Sequence, residues 1–221
     1  MKIRELKWEA KQALKGKWGL AILFSILTFS INSFIPLLME ILFSGGFNTW
    51  SSTDNPPAGA QLVSWIFTIA LSPVIYGYYS VFLDMERSNS VAVKNLFQAF
   101  DASIYFKVLG IYFLSTVYTI LWSLLLIIPG IIKAMAYSQI YFILKDDQNI
   151  GINEAITKSR KLMDGYKGTY FLLLLSFIGW AFVGILTIGI AFLWIIPYYT
   201  ASLAAFYEKL PKHNGSKKVE L

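Results

Sequence analysis

Two ionisable residues, Glu40 and Lys133, lie inside otherwise apolar stretches of the sequence. Charged side chains at membrane depth are costly, and those present there commonly pair with one another or mark a path for a polar ligand. Both lie toward the outer half of their stretches, and one hypothesis is that they face the interior of a helical bundle, where they pair or hold a polar group that enters from outside. The alternative is that both side chains extend to the outer membrane interface along their apolar stems.

The residue types that serve most catalytic and metal sites are scarce. The chain has no cysteine, which excludes disulfides, thiol nucleophiles and thiolate metal sites, and its one histidine, His213, lies in a polar segment. It contains no His-Glu-x-x-His, no Gly-x-Ser-x-Gly and no glycine-rich phosphate loop. Asp146 and Asp147 are adjacent and would point apart, so we interpret them as a membrane border instead of a metal site. We predict a non-enzymatic protein without cofactor or metal.

The composition indicates a membrane protein. Of 221 residues, 56% are hydrophobic and 14% are charged, whereas soluble domains are about 25% charged. The apolar residues form long uncharged blocks, which is typical of membrane-spanning chains. Because the blocks are continuously apolar instead of alternating, they predict helices and not a barrel. The predicted fold class is therefore an all-α integral membrane protein.

The sequence has four apolar blocks, at residues 18–43, 61–83, 108–144 and 170–207. Together they predict six membrane helices. At about 1.5 Å per residue, the last two blocks are too long for one crossing of about 30 Å, so each must fold back. We predict one turn at Pro129-Gly130 and the other at Gly189 or the glycines before it. The alternative for the first turn is a helix boundary before Pro129, which would make that proline a kink.

The polar stretch 44–60 predicts an extracellular loop. Its end, Ala58-Gly59-Ala60, is similar to a signal-peptide cleavage site. The preceding apolar stretch is longer than the core of a signal peptide, however, and this tripeptide lies well beyond it. We therefore predict a retained first helix.

The basic residues predict the orientation. Of the 19 lysines and arginines, 18 lie before the first predicted span, in the second-to-third and fourth-to-fifth connections, or after the sixth span, and loop 44–60 has none. The positive-inside rule then places both termini in the cytoplasm. Anionic headgroups of the inner leaflet explain the net charge of +6 better than nucleic acid does.

An internal repeat is also predicted. Each cytoplasmic connection reads as an amphipathic helix that ends in a membrane-border lysine, and these lysines are Lys17, Lys107 and Lys167. A helical hairpin follows each, and its second helix carries a kinking proline, namely Pro73, Pro129 or Pro197. The units are residues 2–84, 89–145 and 149–210 of a single membrane domain 1–221, whose cytoplasmic tail is 209–221. The alternative is coincidence between apolar sequences.

Four stretches carry a resemblance to a known family, and they are IRELKWEAKQALKGKWG, IIPGIIKAMAYSQIYFILKDD, INEAITKSRKLMDGYKGTYFLLLLSFIGW and IIPYYTASLAAFYEKL. Together they resemble the domain-of-unknown-function 975 family of integral membrane proteins, common in Gram-positive bacteria. The most specific element is AI-x2-S-x3-M-x-G-x-K at residues 155–167. The resemblance implies a bacterial plasma membrane location and brings no established activity, catalytic residue or cofactor. A weaker likeness relates the chain to the membrane portion of some glycerophosphodiester phosphodiesterases, whose catalytic domain is missing here.

These observations predict a multi-pass membrane protein that interacts with lipids or membrane-active amphiphiles, as in envelope stress or self-protection against antimicrobial peptides. The expected partners are the phospholipid bilayer and its anionic inner headgroups, an amphiphilic ligand or a membrane protein, and no nucleic acid. The alternatives are a small-solute transporter or channel, and a scaffold or chaperone subunit of a membrane complex.

Overall fold

A computed structural model describes residues 1–211 of the chain, and every regular element in that range is helical. The predicted cytoplasmic tail, including His213, lies almost wholly outside the described residues. A 3-10 helix, Val93–Phe100, precedes the sixth of eleven α-helices within residues 1–211. The α-helices are α1 Ile3–Leu14, α2 Trp18–Phe43, α3 Phe47–Ser52, α4 Ala58–Leu71, α5 Pro73–Glu86, α6 Ala102–Leu125, α7 Ile127–Tyr137, α8 Ile140–Asp146, α9 Ile152–Leu162, α10 Lys167–Leu186 and α11 Phe192–Lys209.

Five helical segments of residues 1–211 are long and apolar enough to cross a membrane. They are α2, α4 with α5, α6, α7 with α8, and α10. The sixth predicted span, α11, does not meet the same criterion, because it carries three tyrosines and ends in Glu208 and Lys209. Five apolar helices indicate a membrane-embedded protein, while six crossings stay a prediction.

The surface of these helices is unlike that of a soluble protein. Leu124, Ile127 and Leu186 are 77%, 76% and 83% exposed, and large exposed apolar side chains continue along α2 and α10. Soluble monomers rarely expose contiguous apolar patches of more than a few hundred Å². Lipid solvates such a surface, and a helix satisfies its own backbone hydrogen bonds there.

The described core lies where α5, α8 and α11 converge. The ring of Phe142 is 5.5 Å from that of Tyr79 and 5.1 Å from that of Tyr207, which joins the three helices through aromatic contacts. Arg87 follows α5 and pairs with Asp146 of α8 and Glu208 of α11, each at 2.7 Å. The ends of these three helices are thus held both by packing and by ion pairs.

Three shorter elements cover this core. Helix α1 packs against α11, the 3-10 helix against α5, and α9 against α8. Each turns apolar or small side chains inward, and these are Leu6, Ala10 and Leu14 in α1, Leu96 and Ala99 in the 3-10 helix, and Ala155, Ile156 and Ser159 in α9. The second predicted amphipathic helix is therefore a 3-10 helix, and α6 begins at Ala102, before Lys107.

The contact between α5 and the 3-10 helix requires a glycine. A Cβ atom at Gly77 would lie 1.8 Å from the carbonyl oxygen of Leu96. Because the opposing atom belongs to the backbone, a side chain at this position has no room.

The turn of the second hairpin differs from the one expected at Pro129-Gly130. The chain reverses at Leu126, whose backbone is extended with φ −160° and ψ 142°, so the boundary precedes Pro129 as in the alternative. Pro129 is the third residue of α7, where a backbone N–H has no intrahelical partner to lose and a proline need not kink the helix. The second half of this hairpin is interrupted later, between Tyr137 and Ile140.

The other two prolines lie in different settings. Pro73 is the first residue of α5, and the hydroxyl of Ser72 donates to the Ile69 carbonyl oxygen at 2.8 Å, which satisfies the group that the proline frees. Pro197 lies inside α11 and is buried. The turn between α10 and α11 contains Gly189 with φ +89°, a left-handed conformation that glycine adopts without strain, as expected from the sequence.

Candidate functional site

Glu40 lies near the end of α2 and is used there by the following segment. The indole Nε1 of Trp50, in α3, donates to its Oε1 at 3.1 Å. The hydroxyl of Ser44 donates to the Glu40 backbone oxygen at 2.7 Å, which secures the last turn of α2. The carboxylate therefore attaches α3, within the predicted loop 44–60, to the end of α2.

Lys133 lies in a different environment. Its Nζ is 4.3 Å from the centroid of the Trp122 ring, a cation–π distance across the α6–α7 hairpin. Within residues 1–211 no ion pair joins Lys133 to Glu40 or to any other carboxylate. The structure does not bring the two predicted partners together.

Lys133 instead lies between two adjoining cavities, which we call the Lys133 cleft. The first, of about 330 Å³, is lined by Lys133, Arg160, Lys161, Lys167, Asp164, Thr157, Ile132 and Ala136. The second, of about 250 Å³, is lined by Lys133, Arg160, Thr157, Tyr118, Trp122, Tyr137, Asn153 and Ile156. The cavities share Lys133, Thr157 and Arg160, so these residues form the wall between them.

The interruption between α7 and α8 positions α9 beside Lys133. The hydroxyl of Ser159, on the buried face of α9, donates to the Ala136 carbonyl oxygen at 2.7 Å and accepts from the Gln139 backbone N–H at 3.3 Å. These bonds satisfy backbone groups that the break leaves without helical partners. Since Ser159 is turned inward, the next two residues, Arg160 and Lys161, are carried to the exposed rim of the cleft.

The cleft has a strong excess of positive charge. Four cationic side chains line its first cavity together with one carboxylate, Asp164. That carboxylate is 3.7 Å from Lys167 and its side chain is 85% exposed, so water screens the pair. Like charges gathered on a concave surface raise the local concentration of anions. The first cavity is therefore suited to an anionic group.

The second cavity offers neutral hydrogen-bonding groups. Tyr118, Tyr137, Asn153 and Thr157 line it, and their side chains carry three hydroxyls and one amide. Within residues 1–211, none of these four side chains makes a hydrogen bond to the protein. They remain free to bind a ligand.

The membrane-border lysines have separate roles. Lys17, before α2, donates to the Asn89 carbonyl oxygen at 3.2 Å, and Lys107 donates to the carbonyl oxygen of Gln148. Each thereby attaches the start of one apolar helix to the segment that follows α5 or α8. Lys167 is the first residue of α10 and the only one of the three that lines the cleft within the described chain.

The adjacent acidic residues belong to the structural core and to a turn. Asp146 pairs with Arg87 and accepts a hydrogen bond from the Tyr207 hydroxyl at 2.7 Å. Asp147 accepts from the backbone N–H of Asn149 at 3.1 Å. Within residues 1–211 no group of three or more histidine or acidic residues is arranged to hold a metal ion.

Arg160 and Lys161 were not singled out by the sequence as partners of Lys133. The helical period of residues 152–163 placed lysines opposite the buried face of α9, and that was the available signal. It could not show which surface those residues meet, because the meeting depends on the break between α7 and α8.

The fold and the cleft together define a class: an all-helical protein with several membrane-compatible helices and a cationic cleft beside them. The sequence matches the family described as "Protein of unknown function (DUF975)" over residues 1–136 and 124–214. The chain therefore belongs to this family, as its stretches of resemblance predicted. No curated protein and no solved structure matches the chain, and the likeness to glycerophosphodiester phosphodiesterases is not supported by these comparisons.

Proposed function

We propose that this protein is a non-enzymatic, multi-pass protein of the bacterial plasma membrane that binds the phosphate headgroup of anionic phospholipids at its cytoplasmic side. The observation that carries the proposal is the Lys133 cleft, where four cations and one carboxylate line a cavity next to apolar helices. A phosphate diester supplies the counter-charge, and acyl chains can lie along the exposed apolar surface of α6 and α7.

The proposed topology has six crossings with both termini in the cytoplasm. Helix α11 supplies the sixth crossing and runs back along α10, with which it packs. The distribution of 18 of the 19 basic residues supports this orientation. It also places Arg160, Lys161 and Lys167 on the cytoplasmic side, where anionic headgroups are found, and the cleft extends from them into the membrane toward Lys133, seven residues after the turn at Leu126.

The threefold repeat belongs to the same proposal, and the packing of the short elements supports it. The 3-10 helix of the second unit packs on α5 of the first, α9 of the third packs on α8 of the second, and α1 of the first packs on α11 of the third. This order is cyclic. In the first two units a border lysine also binds a carbonyl just beyond the last helix, through the pairs Lys17–Asn89 and Lys107–Gln148.

A lipid titration tests the proposal. The purified protein in a mild non-ionic detergent is titrated with phosphatidylglycerol or phosphatidylcholine, and bound lipid is counted by native mass spectrometry. We expect tighter binding of the anionic lipid. The double substitution K133M/R160M removes two charge-assisted contacts, each worth about 1.4 kcal/mol or tenfold in affinity, so we expect a loss of about 100-fold.

The matched control is K158M. Lys158 is exposed on the same helix as Arg160 and lines neither cavity of the cleft. The K158M substitution therefore lowers the overall positive charge and leaves the cleft intact. Equal effects of K158M and of R160M alone, or equal binding of the two lipids by the unmodified protein, contradict the proposal.

A further inference from the structure

The two cavities of the Lys133 cleft differ in chemistry, although they share a wall. Cations dominate the first, whereas the second contributes two phenol hydroxyls, an amide and a threonine hydroxyl beside the Trp122 ring. A ligand that only carried charge would use the first cavity and leave the neutral groups of the second hydrated. A headgroup with hydroxyls beyond its phosphate would use both.

We propose that the cleft selects phosphodiesters whose terminal group is a polyol, such as the glycerol headgroup of phosphatidylglycerol. The phosphate lies against Lys133 and Arg160 in the shared wall, and the polyol extends into the second cavity. This inference rests on the proposed function, because it assigns the headgroup of the same lipid site.

The hydrogen-bonding capacity of the second cavity matches a polyol better than a second phosphate. The Asn153 amide and the Thr157 hydroxyl each donate and accept, as do the hydroxyls of Tyr118 and Tyr137, and a polyol hydroxyl needs both kinds of partner. A second phosphate only accepts, and the second cavity has no cation besides the shared Lys133 and Arg160. Neutral donor–acceptor groups around an aromatic ring are typical of sites that fix ligand orientation.

The aromatic side chains also give the second cavity a stable shape. The rings of Tyr118 and Tyr137 are 6.4 Å apart between centroids, and Lys133 holds its ammonium over Trp122 at 4.3 Å. Tyr137 is buried to 9% exposure, so its ring is fixed by packing. A preformed cavity lowers the entropic cost of ordering a flexible headgroup.

The test compares two lipids of equal charge. Phosphatidylglycerol and phosphatidylmethanol both carry one phosphodiester, but only the first ends in a polyol. Native mass spectrometry of the detergent-purified full chain gives the affinity of each. We expect phosphatidylglycerol to bind about tenfold more tightly, the gain from two or so neutral hydrogen bonds.

The variants locate this preference. N153L, Y118F and Y137F are expected to reduce the preference for phosphatidylglycerol and to leave phosphatidylmethanol binding unchanged. N149L is the matched control, because the Asn149 side chain is exposed and lines neither cavity. The tyrosine variants keep the rings, so a loss of preference in them does not reflect a lost fold.

The outcomes separate the two proposals. Equal affinity for both lipids, or a preference that persists in N153L and Y118F, overturns the polyol assignment even where K133M/R160M still weakens both lipids. Binding of both lipids that is insensitive to K133M/R160M overturns the proposed function. A soluble competitor, glycerophosphoglycerol, shows whether the acyl chains are needed. If it displaces phosphatidylglycerol from the unmodified protein and not from N153L, the cleft recognises the headgroup without acyl chains. If it does not compete while the preference for phosphatidylglycerol remains, the ligand is an intact lipid.

Discussion

Arg87 holds the ends of three helices, and its replacement gives the sharpest test of the described core. Its Nε donates to Glu208 Oε1 of α11 at 2.7 Å, and its Nη2 lies 2.7 Å from Asp146 Oδ1 of α8. Although burial by itself opposes the charge, the two carboxylates outweigh it and raise the pKa of Arg87 above its ordinary value. The guanidinium therefore stays charged throughout the accessible pH range.

The magnitude follows from the geometry. Each charge-assisted hydrogen bond contributes about 1.5–3 kcal/mol when formed. The three side chains are 29%, 26% and 27% exposed, so water reduces this gain, and removal of the arginine leaves two partly buried carboxylates without their shared cation. We expect R87M to lower the free energy of unfolding by about 3 kcal/mol. R87K keeps the charge and loses the fork that reaches both carboxylates, and we expect about half this loss.

The assay is denaturant unfolding in non-ionic detergent, followed by tryptophan fluorescence. R160M is the matched control, because Arg160 is exposed and has no carboxylate partner within residues 1–211. We expect it to change the stability by less than about 0.5 kcal/mol. If R87M and R160M have the same stability, the ion pairs among α5, α8 and α11 do not hold the core, and the reasoning fails.

Two further predictions concern local geometry. G77A places a Cβ against the Leu96 carbonyl oxygen at 1.8 Å, and we expect thermal unfolding to show a loss of about 3 kcal/mol. The added Cβ of G179A meets no atom within 4 Å, so this variant should instead stabilise α10 by about 0.5–1 kcal/mol. If G77A and G179A change the stability equally, α5 does not approach the Leu96 backbone as closely as the structure shows. The hydroxyl and backbone N–H of Ser103 donate to Asp101 and lower its pKa, so this N-cap of α6 stabilises the fold at neutral pH and loses its effect as pH falls through the lowered pKa. The difference in melting temperature between the unmodified protein and D101A should narrow over that range, and a constant difference contradicts the assignment.

Local patterns in the sequence predicted the long apolar helices and several of their ends, but not α3 within the predicted loop 44–60 or the break between α7 and α8. The start of α2 beside Lys17 and the turn at Gly189 follow from signals within a few residues, because capping, glycine conformation and apolar run length are local properties. The turn of the second hairpin was expected at Pro129, and it occurs at Leu126. A proline in the first turn of a helix and a proline in a loop have the same sequence signal.

The contacts within the candidate site depend on tertiary structure. Glu40 and Lys133 were recognised as charges within apolar stretches, yet their partners could not be inferred. Trp50 is ten residues from Glu40 in sequence and binds it across a turn. Arg160 lines the cleft because α9 packs at the end of α7, where Ser159 bonds to the backbone of Ala136 and Gln139. Such contacts depend on the arrangement of several helices.

The sequence by itself determined that the protein is helical, membrane-embedded in character and basic in its connecting segments. Each of these properties depends on run length, periodicity and composition, which the chain carries whatever its tertiary packing. Only the tertiary structure decided that Lys133 joins Arg160, Lys161 and Lys167 instead of Glu40. The physical reason is that hydrophobic burial specifies which face of a helix turns inward, while shape complementarity and satisfaction of the interrupted backbone select the helix that it meets.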